Sequence, residues 1–229
     1  MRVYSCILMF TCMFLAFPQQ QKIYFDTQIA KHLKAYRAKS EVAIQNGDNI
    51  YAGFLFDSIF NNYLKHSYIR DISLNKVKGG SLKTSTLDKP FLLITKSSWE
   101  QINLEEINEI NRMSKLYKDQ IDIIILFWDS KTKAKALSKN YNSNVIITYV
   151  DERKNNSNHI IATFKHSFGA PACFYISEEK QLVRIDKKFT IVKDENRSEV
   201  AFNVIHEKIK WMLFKEEPNS EGLIISTVN

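Results

Sequence analysis

The apolar positions of the chain fall into two periods, and the change from one to the other marks out the elements. Phe91-Leu92-Leu93-Ile94, Ile121–Phe127 and Val145–Val150 are almost continuously apolar, as expected of strands buried on both faces of a parallel sheet. Between them, Leu104, Ile107, Ile110, Met113 and Tyr117 recur at helical spacing and predict a helix over about Glu100–Tyr117 with that face inward. A shorter helix is predicted at about Lys131–Tyr141 and a third at about Ser157–Phe164. Gly169-Ala170-Pro171 breaks the chain before a hairpin of Cys173–Ile176 and Gln181–Ile185. Glu199–Phe214 carries the apolar face of a closing helix, and the tail beyond Glu216 is polar.

Upstream, Ile29, Leu33 and Tyr36 share a face after a capping Asp26, so a helix is expected there that extends to Ile44. Gln45–Asn49 breaks it, and Ile50–Leu64 carries a second, broad apolar face. The pair reads as an αα-hairpin over residues 21–66, docking on the main domain or on another subunit. Tyr68–Leu74 alternates like an edge strand, and Gly79-Gly80 turns it back into Ser81–Lys83. The order is therefore a helical hairpin, then β-α-β-α-β-α, a β-hairpin and a last helix. The main domain is expected over residues 67–215, with a tail at 216–229.

Composition is that of an ordinary globular chain: 229 residues, 45% hydrophobic, 25% charged, with few Gly and Pro. The net charge of +7 is spread among acids, with Glu105, Glu106 and Glu109 on one helix and Lys131, Lys133, Lys135 and Lys139 on another. Nucleic-acid binders concentrate their basic residues and interleave aromatics. Solvated charge and no nucleic-acid partner are expected here. Arg2 followed by the apolar run Cys6–Phe17 reads as a secretory signal over residues 1–20, too short to span a bilayer. Cys12 lacks the approach of a lipid-anchor signal. An exported protein of the periplasm or cell envelope is expected, with no transmembrane span after cleavage.

Removal of the signal takes Cys6 and Cys12 with it and leaves Cys173 alone. One thiol forms no internal disulfide. No Cys/His cluster has zinc-ligand spacing, so no metal or other cofactor is expected. A lone Cys is usually a small buried hydrophobe; the sharper alternative is a one-cysteine redox or peroxidase site. His159 and His166 precede the Gly169-Ala170-Pro171 break and are the histidines that could approach Cys173. His32 and His66 have no second ligand near them and read as surface residues.

The element order and two landmarks resemble the thioredoxin fold, and in particular the exported redoxin or TlpA/ResA-like thiol–disulfide oxidoreductases. The resemblance covers about Tyr68–Lys210 and implies an α/β fold: a three-layer α/β/α sandwich with a mixed central sheet, preceded here by the N-terminal helical hairpin. Leu92–Asn103, LLITKSSWEQIN, aligns with the family's strand leading into Trp-Cys-x-x-Cys, and Ala170-Pro171 matches its cis-proline. Trp99 stands where the family has Trp, but Glu100 replaces the first Cys and Asn103 the second. A carboxylate and an amide cannot perform thiol–disulfide exchange.

Ser97-Ser98-Trp99-Glu100 also has the form of a capping box, which makes Glu100 either a structural cap or an anionic contact for a basic partner. In the family the residue before the proline hydrogen-bonds an extended peptide, so Trp99, Glu100, Ala170 and Pro171 are the implied binding residues; the alternative for Pro171 is a role in folding. The expected function is a redox-inactive polypeptide-binding or assembly module. The alternatives are an oxidoreductase or peroxidase using Cys173, and a structural component of an envelope assembly.

Overall fold

In a computed structural model of the chain, residues 21–154, 157–169, 172–186 and 206–213 are described. The signal expectation at 1–20, the dipeptide Ala170-Pro171, the first half of the closing helix and the tail lie outside them.

Seven strands form one sheet in the order β2-β1-β5-β4-β3-β6-β7. They are β1 (Ser73–Lys76), β2 (Ser81–Lys83), β3 (Phe91–Lys96), β4 (Asp122–Phe127), β5 (Val145–Tyr149), β6 (Ala172–Ile176) and β7 (Leu182–Asp186). β3, β4 and β5 run parallel, β6 and β7 continue antiparallel on one side, and β1 and β2 on the other. The helices are α1 (Phe25–Gln45), α2 (Asn49–Ile59), α3 (Leu104–Leu116), α4 (Lys131–Ser138), α5 (Asn158–Ile160) and α6 over 206–213. α2 and α5 each run into a π turn, at Phe60–Leu64 and Ile161–Lys165.

Alternation along the strands divides the core in two. Phe91 and Leu93 of β3, Ile124 and Leu126 of β4, and Phe174 and Ile176 of β6 point to one face. They meet Phe25 and Ile29 of α1, Ile59 of α2, Phe60 and Leu64 of its π turn, and Ile160 and Phe164. Leu92, Ile94, Ile123, Ile125, Cys173 and Tyr175 point to the other face, against Ile110 and Met113 of α3, Ala134 of α4, and Ile209 and Met212 of α6. The result is three layers, α/β/α, about a mixed sheet. Each fully buried large apolar side chain contributes about 1.5–3 kcal/mol over its exposed state, so the central strands dominate the stability. The hairpin docks on the sheet: the same apolar cluster holds α1, α2 and the centre of β3.

Asp26 lies inside the first turn of α1, after the N-cap Tyr24, and does not cap it; three further expectations change in the fold. Tyr68–Leu74 is not one edge strand. Ile69 donates to Lys180 O at 2.8 Å, and Leu182 donates to Ser67 O at 2.8 Å, so residues 67–69 line the β7 edge. The chain then crosses to the opposite side of the sheet and enters β1, one strand in from that edge, at Ser73. Asp71 holds the bend by accepting from Ser85 N at 2.7 Å and Thr84 Oγ1 at 3.0 Å. Second, Leu104 is 64% exposed, while Ile107, Ile110, Met113 and Tyr117 are buried as the periodicity predicts. Third, Glu106 and Glu109 are buried rather than solvated.

Candidate functional site

Open α/β sheets place their ligands beyond the carboxyl ends of parallel strands. Here that edge is formed by the loop 97–103 after β3 and the segment Trp128–Ser130 after β4. Trp128 N donates to Lys96 O at 2.9 Å, which continues the β3–β4 pairing by one step. Asp129 then receives two hydrogen bonds from the neighbouring loop, from Ser98 N at 2.6 Å and Ser98 Oγ at 2.8 Å. The two loops are therefore fastened together, with Lys133 3.7 Å from Asp129 on the outer side.

The capping box does not start a helix. Ser97 N donates to Glu100 Oε1 at 2.8 Å, and Glu100 N donates to Ser97 O at 3.2 Å, which closes a local turn. Ser97 Oγ is buried and makes no hydrogen bond. The helix begins four residues after Glu100, with Asn103 as N-cap: its Oδ1 accepts from Glu105 N at 3.1 Å and Glu106 N at 3.3 Å. Asn103 thus satisfies two of the free N–H groups of α3, and Glu105 and Glu106 complement the helix dipole. Glu106 turns inward instead of reaching back to the cap. Its Oε1 lies 2.7 Å from Lys96 Nζ in an ion pair that lacks hydrogen-bond alignment.

Between these groups sits Glu100, half-buried. Burial raises its carboxyl above the usual range. The Ser97 N–H and the Lys96 charge oppose that shift, whereas Glu106 and Asp129 reinforce it. Tyr141, edge-on to Phe127 at 6.4 Å, has its hydroxyl proton held by burial and by the charges of Glu106 and Glu100. Trp99 stands out of this frame, 72% exposed, and Ile102 and Leu104 of the same segment are exposed too. The junction thus carries three exposed apolar side chains on a segment whose polar groups are hydrogen-bonded.

Cys173 is on the neighbouring strand but not at this surface. It pairs with Ile94 in β3 and Asp186 in β7, and its side chain is fully covered. Burial pushes its thiol far up, with Asp186 adding to the effect, and no histidine acts on it. Burial disfavours the thiolate, the form in which a cysteine acts as nucleophile. His159 and His166 are exposed, as is His66, while His32 stacks on Tyr63 at 3.7 Å. Ala172, the first described residue after Pro171, is tied to β3 through Thr95. Thr95 Oγ1 accepts from Ala172 N at 3.1 Å and donates to Ala172 O at 3.2 Å.

The sequence pattern assigns Leu104 to the inward face of the helix, and neither Ile102 nor Asp129 carries a signal in it. The spacing of Ile102 and Leu104 around Asn103 would have identified them only once the helix start was known. Among the described residues, no three His, Cys, Asp or Glu side chains converge as a metal site. No helix among them is long and apolar enough to cross a membrane.

The fold is similar to that of solved structures. The structure aligns with a hypothetical protein from Sinorhizobium meliloti 1021 at 12% identity and a TM-score of 0.54, over 70% of this chain and 90% of that one. It aligns with a candidate protein disulfide isomerase from Bacteroides thetaiotaomicron at 18% identity and a TM-score of 0.50, over 67% and 94% of the two chains. The thioredoxin domain of a thiol-disulfide oxidoreductase from Bacteroides vulgatus aligns at 14% identity and a TM-score of 0.50, over 65% and 99%. This chain has the thioredoxin-like fold. No family model matches the sequence, and no curated relative matches it. At such identities the likeness speaks of architecture, and the chemistry has to be read from the junction itself.

Proposed function

We propose that this chain is an exported thioredoxin-like protein without a dithiol reaction, serving as a polypeptide-binding or assembly module. The observation that carries the reading is the separation of sulfur from surface. The exposed junction presents Trp99, Glu100 and Asn103, while Cys173, the one cysteine outside the signal-like segment, is fully buried. Dithiol exchange needs an accessible thiolate and a second sulfur to resolve the mixed disulfide. Neither has a counterpart at the junction.

What remains there suits recognition. Exposed Trp is a favoured anchor at interfaces, because it adds a large contact area at small entropic cost. Trp99 shares its exposed segment with Ile102 and Leu104, and Glu100 next to it in the chain carries a carboxylate acceptor. The apolar N-terminal run supports export, the compartment in which proteins of the resembled family work.

Insulin-reduction and peroxide-consumption assays on the purified chain, beside a Cys173→Ser variant, test the loss of reaction. No turnover in either is expected. Turnover that disappears in the variant would overturn the proposal in favour of a one-cysteine enzyme. The binding half is tested by panning an extended-peptide library on the chain and measuring the selected peptides against Trp99→Ala. A loss of affinity of at least tenfold is expected, and unchanged affinity would remove the junction as the binding surface.

A further inference from the structure

The lysines of α4 are exposed, as solvated charge requires, but two of them adjoin a second basic segment. Lys131, Lys135 and Ser138 follow one another at i, i+4 and i+7, so they share one stripe of the helix. Ser138 is part of the lining of a cleft of about 320 Å³. The turn between β1 and β2 brings Lys76 and Lys78 to the same cleft, and Val145, Ile146 and Ile147 of β5 line it too. Lysines far apart in sequence are thereby gathered along one strip of surface.

Hydrogen bonds fix both sides of the cleft. Val77 N donates to Ile147 O at 3.0 Å and docks the turn on β5, while Gly79 and Gly80, at φ 105° and 71°, fold it back on itself. The segment after α4 is tied to α3: Asn142 N donates to Asn111 Oδ1 at 2.8 Å, and Asn111 Nδ2 donates to Asn140 O at 2.9 Å. β1 pairs with β5 at Asn75–Tyr149 and Lys76–Thr148 and then turns away, so the cleft opens beside the first half of β5.

The lining selects the sign of the ligand. It includes Lys76 and Lys78 and no Asp or Glu, whereas a cleft along α1 sets Lys34 and Arg37 against Asp26 and Glu41. None of Lys76, Lys78, Lys131 and Lys135 makes an ion pair among the described residues. Half-buried Lys76 therefore bears part of its desolvation cost without a counter-charge, which an anion would offset. Lysines act as compact point charges and suit phosphate oxygens, whereas carboxylates are clasped best by the fork of Arg. Tyr141 is the one ring in the lining, and it packs edge-on to Phe127 at 6.4 Å, which leaves no platform for a stacked base.

We propose that this cleft and the adjoining stripe of α4 bind a chain of phosphate groups, the first held by Lys76 and Lys78 and the following ones by Lys135 and Lys131. At about 1.5 Å per residue, Lys135 stands about 4.5 Å along the axis from Ser138 and Lys131 about 10.5 Å, so successive phosphates span the stripe. The site lies at the amino end of β5, whereas the Trp99 junction lies at the carboxyl ends of β3 and β4, and it does not depend on how that junction is read.

The test is calorimetric titration of the full chain with sodium tripolyphosphate, beside inorganic phosphate and a short poly-Glu peptide. The double variant Lys76→Gln/Lys78→Gln should bind tripolyphosphate about tenfold more weakly, and Lys131→Gln/Lys135→Gln several-fold more weakly. Lys31→Gln/Lys39→Gln removes the same charge from exposed positions of α1 and should leave the affinity unchanged. All six lysines are free of ion pairs, so the three doubles should fold and melt as the unchanged chain does. Inorganic phosphate should bind far more weakly than tripolyphosphate. Equal losses in all three doubles would reduce the effect to net charge and overturn the proposal. So would inorganic phosphate or poly-Glu binding as tightly as tripolyphosphate, or tripolyphosphate failing to bind the unchanged chain.

Discussion

Strands β3 and β6 are hydrogen-bonded neighbours, with Ile94 opposite Cys173 and Thr95 opposite Ala172. Beyond its end, β3 releases the chain into a loop that exposes Trp99, Ile102 and Leu104. β6, one strand away, keeps its sulfur under full cover between Ile94 and Asp186. The two groups differ in place: Trp99 lies in the loop beyond the end of β3, and Cys173 lies inside β6. A thiol on β6 belongs to the packing of the sheet, and an indole on the loop belongs to whatever meets the surface.

The largest effects should come from exchanging the two regions' burdens. Ile94→Ala removes a fully buried side chain beside Cys173 and is expected to cost about 2–5 kcal/mol in chemical denaturation. Trp99→Ala removes a larger side chain from the loop, yet should change stability by less than about 0.5 kcal/mol. A Trp99→Ala cost comparable to that of Ile94→Ala would show that the loop is part of the core and would collapse the contrast.

The cover over Cys173 can be measured directly. Because its proton is held by burial, modification by a thiol reagent should proceed only through opening of the sheet, orders of magnitude more slowly than in the denatured chain. The readout is the labelling rate at Cys173, located by peptide mass. Labelling at the rate of a free thiol would place the sulfur at the surface and reopen a redox role.

A smaller effect separates the two possible caps of α3. Asn103→Ala deletes an acceptor for two helix N–H groups and should cost about 1 kcal/mol. Ser97→Ala removes a buried hydroxyl that has no partner, so it should be neutral or slightly stabilising. The reverse ranking would restore Ser97 as the cap.

That ranking also explains what could be read from the chain and what could not. The central strands and the inner face of α3 were legible because burial on both sides and helical periodicity leave patterns that tertiary packing reinforces. The start of α3 was not, because Ser97-x-x-Glu100 and Asn103-x-x-Glu106 have the same local form. The choice is made by Asp129, which holds Ser98 in a turn, and by Lys96, which draws Glu106 inward. Both partners are distant from the helix start or belong to the strand before it. The burial of Glu106 and the crossing of residues 69–73 to the opposite side of the sheet depend on such partners too. Periodicity reports a face; it does not report which neighbour claims a polar side chain on that face.

The smallest effect concerns Glu100, and its sign discriminates between a structural cap and a strained acceptor. Burial raises the folded carboxyl above its unfolded value, so the folded state binds a proton more readily than the unfolded chain. Stability associated with Glu100 is therefore greatest below its unfolded pKa and is lost as pH rises through the folded one. A cap stabilised by the helix dipole would behave in the opposite way, because its carboxyl would be lowered. Glu100→Gln keeps an oxygen to accept from Ser97 N but carries no charge. It should be neutral to slightly stabilising at pH 7 and should flatten the fall in stability as pH rises from about 4.5, the ordinary range of Glu. Melting temperatures of the two chains across pH 4 to 8 supply the measurement. A variant less stable than the parent at pH 7, with the gap closing on acidification, would mean that the charge on Glu100 supports the fold. The junction would then be a cap built around an anion, and Glu100 would lose its place as an acceptor next to Trp99.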